Sequence, residues 1–120
     1  MEPSAEGHSM KAYILYQSGE MNEALSSVNR AIEFDYTHGP AYRYGASFCL
    51  QEENYDCALV YSALGLRVNP EDPDMLYFRG IALVQTGQID AGCRYLNKVF
   101  YSGNENAAYY LEEFCYPAER

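Results

Sequence analysis

The chain has 120 residues, 48% of them apolar, enough for one hydrophobic core and without a run approaching the roughly 18–20 apolar residues of a membrane helix. Its net charge of −9, from 17 acidic and 8 basic residues, argues against nucleic acid and anionic membrane as partners, since both need clustered Lys and Arg to neutralise phosphate. A basic or neutral protein partner suits it better.

Residues 1–5 are polar and are expected to be disordered. Met1 to Met10 has neither the basic start nor the apolar core of a secretory signal, so a cytoplasmic location is expected. Helices are predicted near 6–18, 22–35, 40–52, 56–68, 74–86 and 90–102, with a seventh near 105–116 and a tail at 117–120. No stretch alternates with the period of two that marks a strand. Gly19 and Gly87 stand between the first and second, and the fifth and sixth, helices, where a left-handed cap suits glycine. Glu53 takes that place between the third and fourth, which predicts a different turn there. Pro70 cannot continue the fourth helix, and Pro40 and Pro73 open the third and fifth, where a first-turn proline loses no hydrogen bond. Acidic groups such as Glu52-Glu53, Glu71-Asp72-Asp74 and Glu112-Glu113 fall at helix ends and are expected to be solvated.

A shift of about 34 residues brings the small residues into register. Ala24, Ala58 and Gly92 form one column, Ala12, Ala46 and Gly80 a second, and Ala31, Gly65 and Val99 a third. Antiparallel helices approach closely only where side chains are tiny, so these columns mark crossing points. Large apolar residues fill the complementary columns: Met21, Tyr55 and Ile89; Leu15, Cys49 and Leu83; Ile32, Leu66 and Phe100.

On these residues the chain resembles the tetratricopeptide repeat family over about 5–106. Gly19-Glu20-Met21-Asn22-Glu23-Ala24-Leu25 with Ala31-Ile32-Glu33-Phe34-Asp35 is close to the family pattern, as is Asn54-Tyr55-Asp56-Cys57-Ala58-Leu59 with Asn69-Pro70. His8 and Tyr36 depart from it, at positions where a bulkier apolar residue and a proline are usual. The resemblance implies an all-α fold: three hairpins, at about 5–38, 39–72 and 73–106, stacked as a right-handed superhelix. The segment 107–116 then repeats the start of a hairpin and caps the open end of the stack.

Little else in the sequence points to chemistry. The glycines build no phosphate loop and no nucleophile elbow, and no His stands where it could serve Ser or Cys as a base. No catalytic residue, metal site or cofactor is expected. Cys49, Cys57, Cys93 and Cys115 lack metal-ligand spacing. Each fits a helical pattern at a position for a small apolar residue, so buried free thiols of a reducing compartment are expected, with disulfides the other possibility.

The family resemblance places a peptide groove on the first helix of each repeat. By register it is lined by Ser9, Tyr13, Tyr16 and Gln17, by Arg43, Ser47, Leu50 and Gln51, and by Tyr77, Ile81, Val84 and Gln85. Tyr and Arg dominate binding hot spots, and Leu50, Ile81 and Val84 read as a floor for an extended or helical peptide. Family members that clamp acidic C-termini of heat-shock chaperones use Lys and Asn at these places. With Arg43 the one cation, the resemblance does not extend to that subclass. The expected function is therefore a protein-interaction module, a monomer or weak homodimer, holding an apolar, aromatic or basic segment of another protein. A second resemblance, from Tyr16-Gln17-Ser18-Gly19 to Gly87-Gln88-Ile89-Asp90-Ala91 with Gly65 and Pro73, is to the three-repeat chaperones of bacterial type III secretion, which cradle a secreted protein. A structural role, with the C-terminal helix or the convex face driving self-assembly, is the third expectation.

Overall fold

Three tight turns and two longer connections divide the chain into hairpins, in a computed structural model that describes residues 3–117. The helices are α1 (Ala5–Gln17), α2 (Met21–Phe34), α3 (Gly39–Gln51), α4 (Tyr55–Val68), α5 (Pro73–Gln85) and α6 (Ile89–Tyr101). A short α7 (Ala107–Tyr110) continues into one π-helical stretch, Leu111–Cys115. The six long helices each begin one residue before the position that the apolar pattern suggests. The expected disorder of residues 1–5 does not hold for Ser4, which caps α1 by accepting a hydrogen bond from the Gly7 amide at 2.9 Å, nor for Ala5, its first helical residue. Residues 1–2 and 118–120 lie outside the described residues.

The three hairpin turns are alike. Gly19, Glu53 and Gly87 all adopt the left-handed conformation, with φ of 83°, 57° and 89°. The following amide then reaches back to the carbonyls of Leu15, Cys49 and Leu83, at 2.9, 2.8 and 2.9 Å. The different turn expected at Glu53 is not present. Two closing hydrogen bonds hold the same geometry and oblige a residue with a Cβ to accept it.

The small-residue columns are the crossings. Ala12, Ala24, Ala31, Ala46 and Ala58 are fully buried. At the α5–α6 crossing two glycines meet: a Cβ on Gly92 would lie 2.6 Å from Val84 Cγ1 and 2.9 Å from the Gly80 carbonyl oxygen. Gly45 makes room for a ring instead, since its Cβ would stand 2.7 Å from Tyr61 Cδ1. The Tyr61 hydroxyl donates to Asn29 Oδ1 at 2.7 Å and ties α4 to α2. Tyr42 does the same for the connection between the first two hairpins, donating to the carbonyl of Tyr36 at 2.6 Å. The result is a rod of 57 × 28 × 21 Å.

All four cysteines are paired, in place of the free thiols expected. Cys49 and Cys57 join α3 to α4, and Cys93 and Cys115 join α6 to the C-terminal stretch, with Cα separations of 5.7 and 5.8 Å, inside the range that a disulfide spans. Position within a helix marks each cysteine as small and apolar. Which other helix it faces is a tertiary matter: one pair bridges the two helices of a single hairpin, 8 residues apart, and the other joins α6 to the C-terminal stretch across 22. The C-terminal segment buries Ala107 and Leu111 beside Leu76, Ile81 and Val84 of α5, so an apolar end of the stack is covered.

Candidate functional site

Helices α1, α3 and α5 are the first helices of the hairpins, and spacing of three and four residues sets Tyr13, Tyr16 and Gln17 on one face of α1. Tyr13 is 43% exposed, and Tyr16 half-buried. Both rings rest on aromatic residues of α3. Tyr16 stacks on Phe48 with centroids 4.2 Å apart and planes 8° off parallel, Tyr13 leans on Tyr44 at 5.8 Å, and Tyr44 and Phe48 stack at 5.7 Å. Offset aromatic contacts of this kind hold rings in place beyond the simple burial of their area. Burial pushes the Tyr16 hydroxyl pKa up, and the Glu52 carboxylate adds to the shift. At the other end of the face Tyr77 meets Tyr110 edge-on at 6.2 Å, and burial followed by Tyr110 raises its pKa as well.

Arg43 apart, the remaining predicted residues divide into two groups. Gln17, Gln51 and Gln85 are exposed, Ser47 and Leu50 are half-buried, and Gln51 donates to Ser47 Oγ at 3.1 Å. Ser9, Ile81 and Val84, in contrast, are only 3, 6 and 2% exposed. Ile81 and Val84 are not the open floor expected: they belong to the core that the C-terminal segment closes.

Arg43 is not a free cation. It reaches Asp72 at 3.5 Å and Asp74 at 3.8 Å, linking α3 to the start of α5. Asp72 is itself 8% exposed, and its other oxygen caps α5 by accepting from the Asp74 and Met75 amides at 3.0 and 3.3 Å. This carboxylate, expected to be solvated at a helix end, is a buried structural partner. Sequence reading missed Tyr44 and Phe48 as supports of the aromatic face. A signal was present: they stand 34 residues after Met10 and Ile14, in the column that faces a preceding hairpin. Arg43 apart, the predicted lining contains no cation, while Asp74 and Glu52 put carboxylates beside it.

The arrangement is a shallow aromatic face on stacked first helices, and comparison with solved structures gives the same class of fold. The chain superposes with a TM-score of 0.84, over 92% of its own length and 89% of the other, on the first tetratricopeptide domain of Spaghetti (RPAP3), solved bound to an HSP90 peptide, SRMEEVD. Sequence identity is 16%, so the likeness is one of fold: an all-α helical repeat of the tetratricopeptide type. No protein-family model and no curated protein sequence matches the chain.

Proposed function

We propose that the chain is a non-catalytic protein-interaction module that holds a peptide segment of a partner on the face of α1, α3 and α5. The observation that carries this reading is the braced aromatic row: Tyr13 and Tyr16 offer ring area on a support formed by Tyr44 and Phe48. Rigid aromatic rings give large contact area at little entropic cost. The solved neighbour uses this fold with a peptide ligand. Its acidic peptide is not the ligand class proposed here, because Arg43 is neutralised by two aspartates and the nearby charges that remain are carboxylates. A neutral or basic segment with an aromatic or branched apolar side chain suits the face.

Selection from a random peptide library tests this. Peptides of that composition should be retained by the wild-type protein and lost from the Tyr13→Ala/Tyr77→Ala double variant. Equal retention by a double variant that melts normally would remove the groove from consideration.

One observation favours a second reading, self-association. Met10 and Ile14 on α1 are 55 and 57% exposed, and their counterparts one repeat later, Tyr44 and Phe48, lie against α1. A second copy on this face would explain two large apolar side chains in water. Light scattering of the wild type beside Ile14→Glu decides it: a monomer in both leaves self-association without support. The cysteine pairing, for its part, favours an oxidising compartment over the cytoplasmic setting expected from the N-terminal sequence. Alkylation of the protein in intact cells, followed by mass analysis, should find no free thiol.

A further inference from the structure

We propose that the cleft between α5 and α6, on the far side of α5 from Tyr77, is a second docking site that takes a short acidic segment of a partner protein. Arg79 lies two residues from both Tyr77 and Ile81, about 200° round the helix, so it points away from the aromatic face. With Leu76, Leu83, Gln88, Ala91, Arg94, Tyr95 and Lys98 it bounds a cleft of about 420 Å³. Three of the chain's eight basic residues are therefore in one place, in a molecule of net charge −9. None of the eight lining residues is acidic.

The repeat supplies its own control. Shifted back by two repeats, the lining of this cleft becomes that of another, bounded by Lys11, Leu15, Glu23, Ser26, Ser27 and Arg30. There Glu23 stands in the place of Ala91 and Ser26 in the place of Arg94, and the cleft is about 160 Å³. A carboxylate belonging to the chain itself lines that cleft together with the two cations. In the middle repeat the same place is filled: Gly45 replaces Arg79, the Tyr61 ring lies over it, and Cys49 is bonded to Cys57. Only the third repeat leaves this place open with no carboxylate in its lining and three cations there.

Arg79 and Arg94 have no carboxylate within 4.0 Å among the described residues. Arg79 is held in place by donating to the Leu59 carbonyl of α4 at 3.1 Å, while Arg94 is exposed and makes no such bond. Lys98 pairs with Glu71 at 3.0 Å, but both side chains are more than half exposed, so an incoming carboxylate can compete. Guanidinium groups bind carboxylates through paired hydrogen bonds, and the half-buried Ala91 and Tyr95, over the buried Leu76 and Leu83, give an apolar side chain between two carboxylates a surface to lie on. An acidic peptide matches this pattern. Nucleic acid does not, because one cleft on an acidic molecule gives no basic track along which a phosphate backbone could run.

Fluorescence anisotropy with a labelled pentapeptide, Asp-Glu-Phe-Asp-Glu, tests the proposal against the neutral peptide Asn-Gln-Phe-Asn-Gln. The acidic peptide should bind saturably and the neutral one should not. Arg94→Glu, a change at an exposed position that should leave the thermal melt in place, should weaken binding about fivefold or more, and raising salt from about 50 to about 300 mM should weaken it similarly. The Tyr13→Ala/Tyr77→Ala variant should bind the acidic peptide as the wild type does, which separates this site from the aromatic face. Absence of saturable binding, equal binding of the neutral peptide, an unchanged affinity in Arg94→Glu, or loss in the tyrosine variant would each overturn it. Displacement of the peptide by inorganic phosphate at low millimolar concentration would assign the cleft to a phosphate ligand instead.

Discussion

At the scale of single residues, two positions set backbone preference against packing. Glu53 holds a left-handed conformation that Gly19 and Gly87 occupy without cost. The strain at a residue with a Cβ is on the order of 1 kcal/mol. Glu53→Gly is therefore expected to raise the melting temperature by a few degrees, since about 1 kcal/mol shifts a domain of this size by roughly 3–5 °C. Gly92 is the converse. Replacing a helical glycine by alanine gains about 1 kcal/mol in intrinsic propensity. Here the added methyl would stand 2.9 Å from the Gly80 carbonyl oxygen and the Val84 amide nitrogen, backbone atoms that cannot swing aside. Overpacking costs about 1–3 kcal/mol, so Gly92→Ala should lower the melting temperature. A rise would mean that α5 and α6 separate readily and would contradict the close crossing.

At the scale of elements, one carboxylate and one disulfide hold the third hairpin. Asp72 caps α5 with one oxygen and meets Arg43 with the other. Loss of a cap costs about 0.5–2 kcal/mol, and Asp72→Ala also leaves Arg43 with only the exposed Asp74. Urea denaturation should show a loss at the upper end of that range, against a smaller one for Asp72→Asn, which keeps an oxygen for the cap. The Cys93–Cys115 bond closes 22 residues and ties the C-terminal segment to α6. Chain entropy alone gives such a bond about 3 kcal/mol. In a Cys93→Ser/Cys115→Ser variant, amide exchange should quicken first in 107–115 and α6, with α1 to α4 little changed. Uniform quickening along the whole chain would show that the cap and the array unfold as one unit.

At the scale of the whole molecule, alkaline pH tests how firmly the hairpins are joined. Burial raises the hydroxyl pKa values of Tyr42 and Tyr61 above the ordinary 10.0. The unfolded chain thus gives up these protons at lower pH than the folded one, and stability present below about pH 10 falls as the pH climbs through the folded values. The melting temperature should be level from pH 7 to 9 and drop above 10. Tyr61→Phe should melt lower at neutral pH, by about 1 kcal/mol for the lost bond to Asn29, and should show a shallower alkaline decline. On the same scale the charges are segregated. Carboxylates stand beside the aromatic face, while three cations line the cleft behind α5. Two faces of one short rod thus offer opposite chemistry.

The 34-residue register was legible in the residues themselves. Where helices cross, volume is the constraint, and volume is written directly in alanine and glycine: every residue of the three small columns is buried. The exposure of Tyr13 and the three glutamines also followed from register. Tertiary structure alone decided the rest. Ile81 and Val84 occupy groove positions by count but are buried beside the C-terminal segment, and Arg43 meets aspartates about thirty residues away. The cysteines look like four small apolar residues until the helix seams bring them within bonding distance in pairs. Periodicity reports how a helix faces its own hairpin, because that contact recurs with every repeat. It is silent on charge pairs, disulfides and a terminal cap, which occur once and depend on which partner the folded chain places opposite.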